Sequence, residues 1–159
     1  MKDNGFSLLE LLAVMAIIGI LLAVAALNFS GMSRKYAIDN QTRSLYTDLM
    51  NVRVKSMYSK KSHFISLNTA TFIVYSSGTR TLPVGEVLRR NFIYPVLWNG
   101  SGSLIEFDSR GLTDDSRSIC VSRNEPASAV DSIVISKARI NMGKRKTGRD
   151  CGADYIDIK

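Results

Sequence analysis

Residues 4–27, NGFSLLELLAVMAIIGILLAVAAL, decide the fold of this chain. No side chain between residues 11 and 27 is polar, and the apolar run that starts at Leu8 is interrupted only by Glu10. A helix needs about 20 apolar residues to cross a bilayer. The segment is therefore long enough to span a membrane, yet it carries a carboxylate that costs free energy in lipid unless it has a partner.

Three interpretations of this segment compete. A cleaved secretory signal would use the small residues AVA at 23–25, but its apolar core would be too long and would contain Glu10. A plain membrane anchor explains only the length. A cut at the polar edge, after Gly5, would free an amine at Phe6, one helical turn from Glu10. That amine would neutralise Glu10 of a neighbouring copy, so the third interpretation is favoured.

The residues GFSLLE followed by an apolar run resemble the prepilin signal of type IV pilins and type II secretion pseudopilins. The resemblance implies that prepilin peptidase cuts between Gly5 and Phe6, that Phe6 is N-methylated, and that Glu10 acts in assembly. It also implies a single pass through the bacterial inner membrane, with the C-terminal domain in the periplasm, followed by assembly into a pilus or pseudopilus. The implied partners are membrane lipid, other subunits and an inner-membrane assembly platform.

Beyond the span, Ile38, Leu45, Leu49 and Val52 recur at the spacing of one helix face. One helix is predicted from about Phe6 to about Ser59, and His63, the only histidine, is expected to help cap its end. Seven strand-like segments follow, in order: FISL, TFIVYS, VLRRNFIYPVLW, SLIEF, RSICVS, DSIVISKARI and DYIDI. The predicted class is α+β: a long N-terminal helix packed on a C-terminal antiparallel sheet domain, the pilin lollipop.

The predicted organisation is a leader (1–5), a transmembrane and filament-core helix (6–28), an amphipathic helix half (29–61) and a β-rich globular domain (62–159). The two cysteines, Cys120 and Cys151, have neither zinc nor CxxC spacing. A disulfide is expected if the domain lies outside the cytoplasm, and two reduced, buried thiols are the alternative.

The order of the strands is similar to that of GspH/FimT-type minor pilins, in LIEFDSRGLTDDSRSICVS and SIVISKARI. Where that family commonly has Gly-Arg-x-Arg, a motif implicated in DNA binding by some members, this chain has Ala138, Arg139, Ile140 and Asn141. Residues 137–149 nevertheless hold six basic residues and no acid. The possible DNA-binding residues are Arg139, Lys144, Arg145, Lys146 and Arg149. The alternative is a solvated, mobile loop tethered by Cys151.

No catalytic motif, cofactor-binding loop or metal-ligand spacing is present in the sequence. DSRGLTDD, with Asp108, Asp114 and Asp115, lacks the alternating ligands of an EF-hand, so a turn is expected there. The predicted function is a non-enzymatic minor type IV pilin or type II secretion pseudopilin without cofactor or metal. The alternatives are a DNA-binding minor pilin that acts in DNA uptake and a signal-anchored periplasmic hydrolase.

Overall fold

The structure, a computed structural model, describes residues 7–100, 102–121 and 128–159, apart from the side chains of residues 24–28 and 30. The chain forms two compact units, Met1–Arg34 and Lys35–Lys159. The first element is a single long helix, α1 (Leu8–Ser59). The predicted long N-terminal helix is therefore confirmed over the described residues.

Helix α1 ends at Ser59 because Lys60 adopts a left-handed backbone conformation, with φ 56°. A left-handed residue directly after the last turn is a common way for a helix to stop. The prediction that His63 caps this end is wrong. His63 is buried at the start of the first strand, and its Nδ1 lies 3.2 Å from the carbonyl oxygen of Lys61, which is already beyond the helix.

Nine strands lie in the described part of the chain, and they form two antiparallel sheets. They are β1 (His63–Leu67), β2 (Thr71–Gly78), β3 (Pro83–Asn91), β4 (Val96–Trp98), β5 (Leu104–Phe107), β6 (Arg117–Val121), β7 (Ser132–Ser136), β8 (Arg139–Arg145) and β9 (Ile156–Ile158). A short 3₁₀ helix, Ala153–Tyr155, precedes β9. The first sheet has the order β3-β2-β1-β5, and the second has the order β4-β6-β7-β8-β9. The α+β class predicted from the sequence is confirmed.

Two predicted strands each divide into two. The segment VLRRNFIYPVLW was expected to be one strand, but β3 and β4 belong to different sheets. Between them the Gln41 side chain on α1 accepts hydrogen bonds from the backbone amides of Ile93 and Tyr94 and donates one to the Tyr94 carbonyl. These contacts replace a strand ladder, and Pro95 has no amide with which to continue one.

The segment DSIVISKARI likewise turns at Lys137 and Ala138, so that Ser136 pairs with Arg139 and β8 returns along β7. Strand β8 contains the centre of the basic segment 137–149. The alternative that this segment is a mobile loop is therefore wrong for residues 139–145. Residues 139–143 pair with β7, and residues 143–145 pair with β9.

One apolar core joins the second unit's part of α1 to both sheets. The predicted helix face is confirmed, since Ile38 and Leu49 are fully buried and Leu45 and Val52 are each 5% exposed. The sheet side of the core is Ile65, Leu67, Phe72, Val74, Val96, Ile105, Phe107, Ile119, Ile133, Ile135 and Ile140. Full burial of one such side chain contributes about 1.5–3 kcal/mol. Because both sheets pack on the same stripe of α1, this helix face holds the domain together.

Candidate functional site

The N-terminal turn of α1 holds Glu10, the residue predicted to act in assembly. Ser7 precedes the helix, and its Oγ accepts a hydrogen bond from the Glu10 amide at 3.2 Å. Ser7 is therefore an N-cap, and an acid in the first turn is favourable because the amide ends of a helix carry partial positive charge. The side chain of Glu10 is exposed. Gly5 and Phe6, the predicted cleavage and methylation residues, lie outside the described residues.

On both sides of Glu10 the helix exposes large apolar side chains, and they lie on all its faces. Leu8 is 81% exposed, Met15 63% and Leu22 65%. Single exposed apolar residues are normal on soluble proteins, but a continuous surface of this kind marks an interaction site. Among the described residues, no helix is long and apolar enough to cross a membrane. The predicted span, 6–28, includes Phe6 and the side chains of 24–28, which lie outside the described residues.

The two cysteines form a disulfide. Cys120 in β6 is joined to Cys151, which follows the basic segment, with the two Cα atoms 5.8 Å apart. The bridge packs against Ile156 and Val134, so it fixes the chain ahead of β9 onto the second sheet. In the chain-entropy model a loop of this size gives about 3–4 kcal/mol of stabilisation. The alternative of two reduced thiols is wrong for this structure.

The five possible DNA-binding residues do not form one cluster. Arg139 lies at the start of β8, whereas Lys144 and Arg145 lie at its other end, opposite Asp157 and Ile156 of β9. Six residues of extended strand separate the two ends by about 20 Å. Lys146 pairs with Asp157 at 3.5 Å, and the Arg149 guanidinium lies 5.3 Å from the centre of the Tyr155 ring. Part of this basic segment is thus used in holding β9.

The DSRGLTDD segment is a turn, as predicted, in which each aspartate has a cationic partner. The Asp108 carboxylate accepts hydrogen bonds from the amides of Arg110 and Leu112 and from the Arg110 guanidinium. Asp115 binds both terminal nitrogens of Arg80, at 2.9 and 2.6 Å, and Asp114 pairs with Lys137 at 3.4 Å. In the described residues, no three His, Cys, Asp or Glu side chains are grouped to hold a metal ion.

Three pKa values in this region follow from these contacts and from burial. Desolvation alone would raise the pKa of Asp108, but the hydrogen bonds from Leu112 and Arg110 outweigh it and lower the pKa below its ordinary value. The hydrogen bond to Asp115 raises the pKa of Arg80. Burial lowers the pKa of Arg117, whose guanidinium donates to the carbonyls of Gly102 and Leu104. The side chains of Arg80 and Arg117 thus tie loops to the sheets.

One surface was missed at the sequence level. Lys55 and Tyr58 in the last turns of α1 and Lys60 and Lys61 just after it are all exposed, Tyr58 to 91%. These four residues are called the helix-end patch below. The available signal was the absence of any Asp or Glu from Leu49 to Gly85. That signal was overlooked because the lysines are spread over a helix and its end and do not form a continuous run.

Known proteins resemble this chain in two features, its N-terminal motif and its fold. Residues 1–26 match the family model described as "Prokaryotic N-terminal methylation motif". The fold is similar to crystal structures of the type IV minor pilin FimU of Pseudomonas aeruginosa. In one crystal form the identity is 10% and the TM-score 0.58, and the match covers 74% of this chain and 95% of the crystallised FimU chain. In another the values are 14% and 0.52, covering 70% and 94%.

No curated protein matches the chain. The chain is nevertheless similar to pilin-type proteins in two independent respects, its N-terminal motif and its fold.

Proposed function

We propose that the protein is a structural, non-enzymatic subunit of a type IV pilus or of a type II secretion pseudopilus. The observation that carries this proposal is the all-round exposure of apolar side chains on residues 8–22, in a chain that matches the methylation motif. Such a helix needs an apolar surrounding. Membrane lipid supplies it before assembly, and the helices of other subunits supply it afterwards.

Processing follows from the same motif. Prepilin peptidase cuts between Gly5 and Phe6, Phe6 is N-methylated, and the subunit stays in the inner membrane through residues 6–28 with its C-terminal domain in the periplasm. An assembly platform then moves it into the filament. Mass spectrometry of the mature protein tests this proposal, with loss of residues 1–5 and gain of one methyl group as the expected result. A mature start at Ala26, or retention of Met1, would contradict it, and Gly5→Arg should block the cut.

Glu10 pairs with the newly freed amine of a neighbouring subunit. The charged carboxylate costs about 2.5 kcal/mol or more within lipid at the centre of a span and less near its end, so a partner at the same depth is favoured. The Glu10→Leu variant should insert and be cut but fail to enter filaments. Incorporation is measured by immunoblot of sheared filaments.

A matched variant separates this pairing from the role of the same turn in starting the helix. Ser7→Ala removes the N-cap oxygen and leaves the carboxylate in place. It should therefore leave filament incorporation close to that of the unchanged protein. Equal losses in Ser7→Ala and Glu10→Leu would show that Glu10 matters only through the helix start, and the pairing would then be rejected.

A second candidate function is capture of DNA by the basic segment 137–149. The observation that favours it is that Arg139 and Lys144 form no ion pair within the described residues. Phosphate contacts require cations without a fixed spacing and weaken steeply with salt. A salt-dependent shift in DNA mobility that is lost in the triple variant Lys144→Glu, Arg145→Glu, Lys146→Glu would support this function. Absence of a shift at low salt would exclude it.

A further inference from the structure

The helix-end patch carries positive charge that has no acidic neighbours nearby in the sequence. The sequence holds no acid from residue 49 to residue 85, and the three lysines of the patch are exposed. None of the three forms an ion pair with another described residue. The basic segment 137–149 differs, since Lys137 pairs with Asp114 and Lys146 pairs with Asp157. A polyanion would therefore meet fewer competing carboxylates at the helix end.

The backbone at Lys60 is a second, independent observation. In the part of the chain that the structure describes, Lys60 is the one residue other than glycine with a positive φ. Glycine adopts this conformation without steric cost, whereas a side chain makes it unfavourable. A lysine at this helix end is therefore less favourable for stability than a glycine would be, and residues in such conformations are found more often at functional sites.

The aromatic member of the patch is Tyr58. Its side chain is 91% exposed, and Val54, one helical turn earlier, is 53% exposed. The phenol ring therefore offers a free face, and Lys55, Lys60 and Lys61 all lie within three residues of it in the chain. Exposed aromatic rings flanked by basic residues bind single-stranded nucleic acids, because the bases stack on the ring while the cations contact the phosphates.

The neighbouring loop supports the same surface. Arg53 donates a hydrogen bond from Nε to the Gly111 carbonyl at 2.9 Å, which holds the loop between β5 and β6 against the last turns of α1. Arg110 in that loop is 76% exposed at its side chain, although it also binds Asp108. The loop thus covers the helix end with an ion pair of its own, and Arg110 is not counted among the cations of the patch.

We propose that the helix-end patch binds single-stranded nucleic acid without sequence preference, with Lys55, Lys60 and Lys61 contacting phosphates and Tyr58 stacking on a base. An anionic membrane surface fits less well. Polybasic membrane sites usually contain about four to eight cations, and interfacial helices add a broad apolar face, which Val54 alone does not supply. The proposal does not depend on segment 137–149 or on filament assembly.

The test uses the full-length protein in non-ionic detergent micelles and a short fluorescent oligothymidine strand, with binding followed by anisotropy at several salt concentrations. Each phosphate contact contributes about −0.7 to the slope of log affinity against log salt for a single strand. Three lysines predict a slope of about −2. Tyr58→Ala should weaken binding by at least about fivefold and leave the slope unchanged, because stacking involves no counterion release.

Lys60→Gly gives two effects of opposite sign. It should lower the affinity and the salt slope, yet raise the melting temperature by about 2–4 °C because the left-handed conformation is no longer strained. A variant that merely disturbed folding would lower both quantities. Lys55→Ala with Lys61→Ala should remove most of the remaining slope.

The matched control is Lys35→Ala with Lys159→Ala, which removes two exposed positive charges that lie outside both the helix-end patch and segment 137–149. This control should leave oligothymidine binding unchanged. The proposal is overturned if the control abolishes binding and the patch variants do not, if the protein binds only phosphatidylglycerol vesicles, if Tyr58→Ala has no effect on affinity, or if the strand does not bind at low salt.

Discussion

Residues 8–22 of α1 carry eleven large apolar side chains that are 46–81% exposed, whereas Ile38 and Leu49 of the same helix are fully buried. The difference lies in the width of the apolar surface. In the C-terminal half the apolar residues form one stripe, which the sheets of the same chain cover. In the N-terminal half they surround the helix, and a surface on every side is covered only by lipid or by several other chains. The pattern around a helix thus indicates whether its partner belongs to the same molecule.

The largest expected effect comes from replacing a leucine by alanine in the C-terminal half of α1 and comparing it with the same replacement in the N-terminal half. Leu49→Ala should lower the free energy of unfolding of the domain by about 2–5 kcal/mol, because a buried leucine is replaced by a cavity. Leu12→Ala, at a side chain that is 64% exposed, should change it by less than about 0.5 kcal/mol. Urea unfolding followed by the fluorescence of Trp98, the single tryptophan, measures both. Equal losses in the two variants would contradict the comparison.

A smaller effect is expected where Gln41, in the C-terminal half of α1, binds the backbone between β3 and β4. Gln41→Ala removes three hydrogen bonds to the backbone of Ile93 and Tyr94. We expect a loss of about 1–3 kcal/mol in the same unfolding measurement, since backbone groups next to the core lose their partner. Asn40→Ala, at the adjacent exposed position, should change stability by less than about 0.5 kcal/mol. Alanine is a better helix former than asparagine, so a comparable loss in Asn40→Ala would mean that the loss in Gln41→Ala does not come from its hydrogen bonds.

The loop that covers the end of α1 provides a third test. Gly111 has φ 72°, and a Cβ there would lie 2.7 Å from Cγ of Met57. Gly102 has φ 81° but no atom within 4 Å of such a Cβ. Both alanine variants should lose about 1–2 kcal/mol from the left-handed backbone. Gly111→Ala should lose more, because Met57 must also move. If the two losses were equal, the loop would not be packed against the helix.

The smallest expected effect is the pH dependence that arises from Asp108. Its pKa is lower in the folded chain than its ordinary value, so the folded state releases this proton more readily than the unfolded state. The resulting stability is present above about pH 4, the ordinary carboxyl range, and is lost as pH falls through the lowered pKa. Asp108→Asn should reduce the drop in the urea midpoint between neutral and acidic pH.

The control for this measurement is Asp154→Asn, at an exposed carboxylate without a described ion pair. This variant should keep the drop of the unchanged protein. A drop of the same size in Asp108→Asn would show that the turn contributes nothing to acid sensitivity.

Much of the fold was predictable from local patterns. The helix face at Ile38, Leu45, Leu49 and Val52, the end of α1 near Ser59 and the turn at Asp108 all follow from spacing and composition over a few residues. The division of VLRRNFIYPVLW was not predictable in this way, because the backbone bonds that interrupt it come from Gln41, far away in the chain. The same holds for β8, whose strand character depends on pairing with β7 and β9.

The sequence alone determined the long helix, its two kinds of apolar surface and the methylation motif. Each of these depends only on consecutive residues or on the helical spacing of apolar residues. Only the tertiary structure decided which strands share a sheet, that Cys120 meets Cys151, and that the basic residues divide between a partly paired strand and an unpaired helix end. The physical reason is that ion pairing, burial and strand pairing depend on neighbours in space. Those neighbours are distant in sequence, and composition does not specify them.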